Sequence, residues 1–234
     1  MSTDKVILIT GSRKGIGKYL VEYYSSHGYE VFGCSREPAN FSFPNYIHYQ
    51  CDVTQERHVR KMLRQIKEKS GHLDILINNA GINLTLHPTM LVSYQKALKT
   101  VEVNLMGTFL MCRESAKLMM QNSFGRIINF SSMAVKHEVE GEAIYTASKA
   151  AIISFTKVLA KELFPLGITC NVISPSAIET NLMQGIDENS LKEVLSRNAI
   201  KTLGKLEDIS NSIDFYIKPE SDAITGQVVY LGGV

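Results

Sequence analysis

Short apolar segments alternate with longer segments of helical periodicity along almost the whole chain. The apolar segments are continuous, which is typical of strands that are buried on both faces of a sheet. KVILIT is the first of them, and GIGKYLVEYYSSHG follows it with helical spacing. Repeated strand–helix order predicts right-handed crossovers and therefore a doubly wound α/β fold with a mostly parallel sheet. We expect about seven strands, with helices on both faces.

The predicted boundaries follow turn and capping residues. Gly28 and Gly71 are placed to end the first two helices, and Thr54 is placed to cap the second. The predicted strands cover 5–10, 29–35, 46–52, 73–81, 125–132, 167–175 and 226–231. The predicted helices cover 15–28, 54–71, 93–121, 144–164 and 207–217. Ligands bind outside the C-terminal ends of the strands in such sheets, so the residues that end strands are the first candidates for a site.

Length and composition narrow the class of protein. A chain of 234 residues suits one domain spanning 1–234. A net charge of +2 without a basic cluster disfavours a nucleic-acid partner. We find neither a signal peptide nor an apolar stretch of roughly 20 residues, which disfavours a membrane and favours the cytoplasm. The scattered cysteines predict reduced, buried thiols rather than disulfides or a zinc site. They are Cys34, Cys51, Cys112 and Cys170.

A glycine-rich turn, TGSRKGIG at 10–17, joins the first strand to the first helix. Gly11 allows a tight turn, while Gly15 and Gly17 allow close approach of a pyrophosphate and close packing of the helix on the sheet. The free amides at a helix N-terminus attract that anion. The spacing is GxxxGxG, and an ordinary strand-to-helix loop is the alternative. The position of the turn between a strand and a helix favours a dinucleotide.

The second strand ends in CSRE, where dinucleotide folds that prefer NAD usually carry an acidic residue. Ser35 and Arg36 stand at this point instead. A 2′-phosphate suits the guanidinium of Arg36 and a hydroxyl donor at Ser35. Arg13 or Lys14, in the glycine turn, would supply a second cation. The charge pattern therefore predicts NADP(H) as the cofactor, and solvated surface cations are the alternative.

Together with these features, further motifs make the sequence resemble the short-chain dehydrogenase/reductase family over nearly its whole length. The pattern is closest to that of 3-oxoacyl-acyl-carrier-protein reductases. Besides the glycine turn, the matching segments are NNAG (78–81), VEVNLMG (101–107), INFSS (128–132), YTASK (145–149), NVISPSAIET (171–180) and ITGQVVYLGG (224–233). Each segment alone is weak, but all occur in order with suitable spacing. The resemblance implies a Rossmann-type fold and an NADP-dependent oxidoreductase that acts on alcohol and carbonyl groups.

The resemblance assigns the chemistry to Asn104, Ser132, Tyr145 and Lys149. Tyr145 would give a proton to the substrate oxygen, and Ser132 would orient that oxygen. Asn104 would hold a water that links Lys149 to solvent. Tyr145 and Lys149 are four residues apart, so they share one helix face, where the ammonium would lower the pKa of the phenol and hold the nicotinamide ribose. Ser131 is the alternative hydroxyl, but in a strand it points to the opposite face from Ser132.

The resemblance also implies which residues contact the cofactor. The full set is Gly11, Ser12, Arg13, Lys14, Gly15, Ile16, Gly17, Ser35, Arg36, Asp52, Val53, Asn79, Ala80, Gly81, Tyr145, Lys149, Pro175, Ile178 and Thr180. Asp52 and Val53 would lie by the adenine, whereas Ile178 and Thr180 would meet the nicotinamide carboxamide. The usual glycine after the proline of this motif is Ser176 here. If that glycine has a positive φ in the family, this loop should run differently in the present chain.

Three segments are expected to shape the substrate site, at 83–88, 133–143 and about 177–200. We expect a small-molecule or thioester carbonyl, reduced reversibly to a secondary alcohol. A substrate on an acyl carrier protein is the alternative. Carrier-dependent reductases often carry basic residues before the fifth and sixth strands, but only Arg126 is basic in the corresponding MQNSFGR and FPLGI. His137 is expected at the surface, and the histidines lack metal-like spacing, so no metal is expected.

Two further expectations concern catalysis and assembly. A non-catalytic nucleotide-binding protein is a distant alternative, which the presence of both Tyr145 and Lys149 disfavours. Segments 93–121 and 144–164 have apolar residues on more than one side. The family pairs the equivalent helices across a two-fold axis, so the resemblance implies a homodimer or homotetramer. Burial of all these side chains within the single chain is the alternative.

Overall fold

A seven-stranded parallel sheet organises the chain. The computed structural model describes residues 5–178 and 195–233, and in this part the strand order is β3-β2-β1-β4-β5-β6-β7, with every pairing parallel. The strands are β1 (Val6–Thr10), β2 (Glu30–Ser35), β3 (Tyr46–Gln50), β4 (Ile75–Asn78), β5 (Gly125–Phe130), β6 (Ile168–Ser174) and β7 (Val228–Tyr230). The predicted doubly wound, Rossmann-type architecture is confirmed.

Most helices agree with the predicted ones. The helices are α1 (Gly15–Ser26), α2 (Glu56–Ser70), α3 (Tyr94–Val101), α4 (Thr108–Met119), α5 (Ala134–His137), α6 (Ala143–Leu163) and α7 (Leu206–Ile217). The short helix α5 was not predicted. A π-helical segment (Glu102–Gly107) lies between α3 and α4 and interrupts the helix predicted at 93–121. Thr54 was wrongly predicted as a cap, because its hydroxyl donates to Asp52 Oδ1 at 2.8 Å while α2 begins at Glu56. Gly71 ends α2 with a φ of +80°, as predicted.

Helices cover both faces of the sheet because successive strand residues point to opposite sides. Val6 and Leu8 of β1 belong to the core that contains the buried faces of α2, α4 and α6. Ile7 and Ile9 belong to the core on the other face, which contains the buried faces of α1 and α7. The four cysteines are free and buried, as predicted.

Several strands end earlier than the sequence predicts. The strands predicted at 73–81, 125–132 and 167–175 stop at Asn78, Phe130 and Ser174. The following residues form loops along the C-terminal edge of the sheet. The strand order reverses between β1 and β4, which is the point where such sheets open a ligand crevice. The motifs after β1, β4, β5 and β6 therefore converge on one edge.

Candidate active site

The turn between β1 and α1 forms a tight backbone cradle. Gly11 and Gly15 have φ of +66° and +56°, and a Cβ on Gly11 would lie 2.9 Å from Ala80 Cα. A Cβ on Gly17 would overlap the carbonyl oxygen of Gly11. The first turn of α1 reads GIGK and so carries no carboxylate that would repel an anion from its amides. This geometry fits the pyrophosphate of a dinucleotide.

The loop after β4 links this cradle to the centre of the site. Asn79 Nδ2 donates to the carbonyl of Thr10 at 2.9 Å, and the Ala80 N–H donates to Thr10 Oγ1 at 3.0 Å. A Cβ on Gly81 would lie 3.2 Å from Lys149 Nζ. The close approach explains why glycine occupies this position next to the lysine.

Asn104 lies in the π segment and is fully buried. Its amide nitrogen donates to the Ile82 carbonyl at 2.9 Å and to Ser148 Oγ at 3.0 Å. Its Oδ1 accepts from the Ile82 N–H at 2.8 Å. The widened turn of a π segment thus places one amide between the loop after β4 and helix α6. The motif identified Asn104, but nothing in the sequence signalled the π segment.

Two adjacent serines follow β5 and have different partners. Ser131 Oγ donates to the backbone carbonyl of Lys149 at 2.9 Å and is buried. The hydroxyl of Ser132 lies on the Tyr145 side, where it lowers the pKa of the phenol, and it accepts from the Ala134 N–H at 3.2 Å. Ser131 therefore anchors α6 to the sheet, whereas Ser132 faces the phenol. The geometry favours Ser132 over the alternative.

Lys149 and Tyr145 occupy the same buried corner. Lys149 Nζ donates to the Phe130 carbonyl at 2.9 Å and lies 5.9 Å from the centroid of the Tyr145 ring. Burial lowers the pKa of Lys149 to about 8. Burial also raises the pKa of Tyr145, which the Ser132 hydrogen bond partly offsets and the Glu142 carboxylate increases. The net shift is thus opposite in direction to the lowering expected from the ammonium, because desolvation is the dominant influence.

The end of β2 contains an ion pair that the sequence did not reveal. Arg13 Nη2 lies 2.8 Å from Glu37 Oε2, so one of the predicted phosphate cations already has an anionic partner. Ser35 Oγ donates to the Glu37 carbonyl at 2.6 Å, which occupies the only proton of that hydroxyl. In this arrangement the Ser35 hydroxyl has no second proton to donate to a phosphate. The side chain of Ser12 is buried and contacts Tyr46 at 3.1 Å rather than the open edge.

Asp52 and Val53, predicted near the adenine, follow β3. Asp52 Oδ1 accepts from both the backbone N–H and the hydroxyl of Thr54, at 3.0 and 2.8 Å. Although burial acts in the opposite direction, these hydrogen bonds hold the pKa of Asp52 below its usual range. Val53 is buried against Gly107, where an added Cβ would lie 2.7 Å from Val53 Cγ2. The two residues therefore hold the β3 end against the π segment.

The loop after β6 is built around the unexpected serine. Ser176 Oγ accepts from Asn198 Nδ2 at 2.7 Å, and Asn198 Oδ1 lies 2.7 Å from His137 Nε2. Ser176 is not one of the described non-glycine residues that have a positive φ. Pro175 contributes its carbonyl to the Met133 N–H at 3.0 Å. Sequence reasoning missed Asn198, since its partners are distant in the chain.

The remaining predicted contacts of this loop are placed only in part. Ile178 is buried and forms a bridge with Gly204. Thr180 lies outside the described residues, as does most of the predicted substrate segment at 177–200. His137, expected at the surface, is partly buried and is held by the Asn198 contact.

The mouth of the site is formed by two loops that contact each other. Asn83 Nδ2 donates to Glu142 Oε1 at 2.8 Å, and the His87 N–H donates to the Gly141 carbonyl at 2.9 Å. Burial raises the pKa of Glu142. A cavity of about 470 Å³ adjoins these loops. Its lining comprises Pro88, Thr89, Glu138, Val139, Glu140, Gly141, Ala143 and Thr146.

Arg126 does not lie on this mouth. Its side chain is 1% exposed, forms an ion pair with Asp222 and lies over the ring of Phe124. The single basic residue in the segments compared with carrier-dependent reductases is therefore structural. It is not available as a docking cation.

The sheet order and the glycine cradle define a protein of the dinucleotide-binding α/β class. The chain belongs to the short-chain dehydrogenase family, whose model matches residues 5–191. This membership confirms the resemblance seen in the motifs and makes the chain an oxidoreductase.

Similar proteins cover nearly the whole chain. A 3-oxoacyl-[acyl-carrier-protein] reductase FabG of Haemophilus influenzae is 31% identical over 98% of this chain and 97% of its own length. The structure of ElxO with NADP bound has 31% identity and a TM-score of 0.90, covering 98% of this chain and 97% of that one. A variant of actinorhodin polyketide ketoreductase with NADPH has 27% identity and a TM-score of 0.89, with 100% and 98% covered.

Two features are absent from the described residues. Within 5–178 and 195–233, no helix is both long and apolar enough to cross a membrane. The same ranges hold no group of three or more His, Cys, Asp or Glu side chains suited to a metal ion.

Burial of Lys149 predicts a measurable effect on stability. Its folded-state pKa of about 8 lies below the ordinary lysine value of 10.5, so the unfolded chain binds more protons between these values. The charged lysine therefore destabilises the fold below pH 8, by about 3 kcal/mol at most. We expect Lys149→Met to be more stable than the wild type near neutral pH. Urea denaturation should show this difference shrinking as pH rises from about 8 towards 10.5; a constant difference would contradict it.

Proposed function

We propose that the chain is an NADPH-dependent reductase that converts a carbonyl group to a secondary alcohol in a reversible reaction. The observation that carries this proposal is the contact between the Ser132 hydroxyl and the Tyr145 phenol beside Lys149, next to the glycine cradle. When bound, the reduced nicotinamide supplies a hydride. Ser132 hydrogen-bonds the substrate oxygen, and Tyr145 gives that oxygen a proton.

A positive charge is needed to stabilise the phenolate that Tyr145 becomes after it has donated its proton. Burial opposes formation of the phenolate, so a nearby positive charge has a large effect in this corner. Lys149 supplies that charge from the next helical turn and hydrogen-bonds the nicotinamide ribose. Asn104 positions the loop after β4 and helix α6 through Ile82 and Ser148. In this scheme Asn104 is a positioning residue whose amide also holds a water near Lys149.

The cofactor sites follow the two ends of the crevice. The glycine turn and Asn79–Gly81 hold the pyrophosphate and the middle of NADP(H). Arg36 and Lys14 are the proposed cations for the 2′-phosphate. Arg13 joins them when its guanidinium leaves the ion pair with Glu37 and contacts the phosphate instead. Solved structures of similar proteins with NADP or NADPH support this preference.

A 3-oxoacyl group on an acyl carrier protein is the second candidate substrate. The names of relatives about 30% identical over nearly the full chain favour it. The cavity at the mouth instead carries Glu138 and Glu140, and Arg126 is buried. Such a rim opposes an acidic carrier protein. A free ketone or a small thioester therefore suits this site better.

The remaining proposals concern the whole molecule. One sheet unites the described residues, which supports a single domain over 1–234. Buried free thiols and a charge near neutrality support a cytoplasmic enzyme without nucleic-acid or membrane partners. A non-catalytic role is disfavoured, because the hydroxyls and the ammonium of the site are grouped within one corner.

A proton donor at Tyr145 predicts a specific kinetic effect. Tyr145→Phe should lower kcat by about 10²- to 10⁴-fold, because it removes the donor and keeps the ring. NADPH affinity, measured by fluorescence, should be nearly unchanged. Tyr49→Phe, on the edge strand β3, is the matched control and should keep full activity. Unchanged turnover in Tyr145→Phe would refute the mechanism.

The carrier alternative has a direct kinetic test. We expect kcat/KM for a 3-oxoacyl thioester of pantetheine to equal or exceed that for the same acyl group on a carrier protein, since the acidic rim repels the carrier. Glu138→Gln combined with Glu140→Gln should then raise the carrier rate selectively at low salt. A carrier-bound substrate preferred by tenfold or more would favour the alternative.

Exposed apolar side chains on the two long helical regions support self-association. Leu98 on α3 is 53% exposed, and Val158 on α6 is 52% exposed. We propose a homodimer or homotetramer that buries these faces. Sedimentation velocity should show a dimer or tetramer, which Val158→Glu weakens by placing a charge in the interface. Only monomer in the wild type at micromolar concentration would refute this assembly.

A further inference from the structure

A hydrogen-bonded cluster lies between the glycine turn and the ends of β2 and β3. We define it by Ser12, Ser35, Tyr46 and His48. A Cβ on Gly33 would lie 2.5 Å from both Ser12 Oγ and Tyr46 Oη, so the cluster is packed against bare backbone. The proposed function uses the two ends of this cluster, the pyrophosphate turn and the 2′-phosphate corner, but not its centre at His48.

The contacts around His48 determine where its proton lies. Ser35 Oγ donates to the Glu37 carbonyl at 2.6 Å, so it acts as an acceptor towards His48 Nε2 at 3.1 Å. The same Nε2 lies 3.2 Å from the Glu37 carbonyl, which can only accept. Nε2 therefore carries a hydrogen. In the neutral ring, Nδ1 then accepts the hydroxyl proton of Tyr46 at 2.7 Å.

The cluster can also accommodate an imidazolium without movement of heavy atoms. A proton added to Nδ1 would be donated to Tyr46 Oη, whose own hydrogen can turn to Ser12 Oγ at 3.1 Å. Ser12 in turn can donate to the Cys34 carbonyl at 3.4 Å. Each donor along this route has an acceptor in both states. Uptake of one proton from solvent therefore requires only that the hydroxyl hydrogens of Tyr46 and Ser12 rotate.

Surrounding charges decide which state is populated. Burial lowers the pKa of His48, the Glu37 carbonyl raises it, and the Arg13 guanidinium of the glycine turn lowers it. Arg13 is paired with the Glu37 carboxylate. Arg36 follows β2, and Lys18 of α1 lies 5.1 Å from the ring centroid of Phe41, which stacks on Tyr46. An anion bound at the end of β2 would oppose the effect of these cations and favour the protonated form of His48.

We propose that His48 is a specificity-determining residue for the phosphorylated cofactor, taking up one proton when a dianionic 2′-phosphate binds at the end of β2. This inference rests on the proposed function, since it requires NADP(H) at that place. Opposite charge favours the charged form of a titratable group. Ser35 gives its hydroxyl proton to the Glu37 carbonyl and therefore cannot donate it to the phosphate. The imidazolium compensates for this loss by adding one positive charge next to Ser35.

The first test observes the imidazole directly in the full-length protein. NMR titration of the His48 ring should be recorded for the protein alone, with NADPH and with NADH. We expect the midpoint to move to higher pH with NADPH and to stay near the free value with NADH. Identical midpoints in the two complexes would overturn the inference. This readout needs no substrate, no turnover and no variant.

The second test measures affinity. The ratio of NADPH to NADH affinity in the wild type should fall by about tenfold from roughly pH 6 to pH 8, relative to the same ratio in His48→Gln. Titration of the phosphate itself is common to both proteins and cancels. His27→Gln, at the far end of α1, is the matched control and should retain the wild-type profile. Equal profiles in the wild type and His48→Gln would overturn the inference.

The two proposals fail differently. Failure to bind NADPH, or equal affinity for NADPH and NADH that Arg36→Ala leaves unchanged, would refute the proposed cofactor preference. Preferential binding of NADPH that is lost in Arg36→Ala, combined with an unmoved His48 titration, would refute only the role of His48.

Discussion

The contact of the Lys149 ammonium with the Phe130 carbonyl, at the end of strand β5, is the constraint around which the site is arranged. A buried cation needs a full set of acceptors and a close-fitting surround. Ser131 fixes the backbone of the same residue, and Gly81 leaves the space that the ammonium requires. The helix that carries Tyr145 is thereby locked to the sheet edge. The lowered pKa of Lys149 means that the charged form of this lysine destabilises the fold.

The polar contacts of Asn104 extend this arrangement to the β4 side. One amide bonds both backbone groups of Ile82 and the hydroxyl of Ser148. The π segment brings this amide into place by widening the helix at one turn, and Val53 packs against its last residue, Gly107. The loop after β4, helix α6 and the end of β3 are therefore mechanically connected. Loss of regular helix geometry at this point is offset by hydrogen bonds that cross between elements.

Much of the fold and the candidate site could be predicted from local patterns. Continuous apolar runs located the seven strands, and the spacing from Ser132 to Tyr145 and Lys149 identified residues that the structure brings together. Most failures concern partners distant in sequence, although the Glu37 carbonyl that accepts from Ser35 is only two residues away. Ser35 bonds the Glu37 carbonyl and His48, Arg126 is buried against Asp222, and Asn198 joins Ser176 to His137. A residue type reveals which bonds it can form, but long-range packing decides which bond it does form.

The sequence by itself determined the doubly wound sheet, the family and the chemical groups available at the strand ends, because periodicity and motif spacing are properties of the chain. Tertiary structure alone decided the protonation of those groups. Burial raises the pKa of Tyr145 and lowers that of Lys149, although one helical turn between a phenol and an ammonium suggested mutual stabilisation. The same holds at His48, where the Ser35 hydroxyl and the Glu37 carbonyl define the tautomer. Desolvation and hydrogen-bond direction depend on every neighbour at once, and those neighbours are assembled only when the sheet forms.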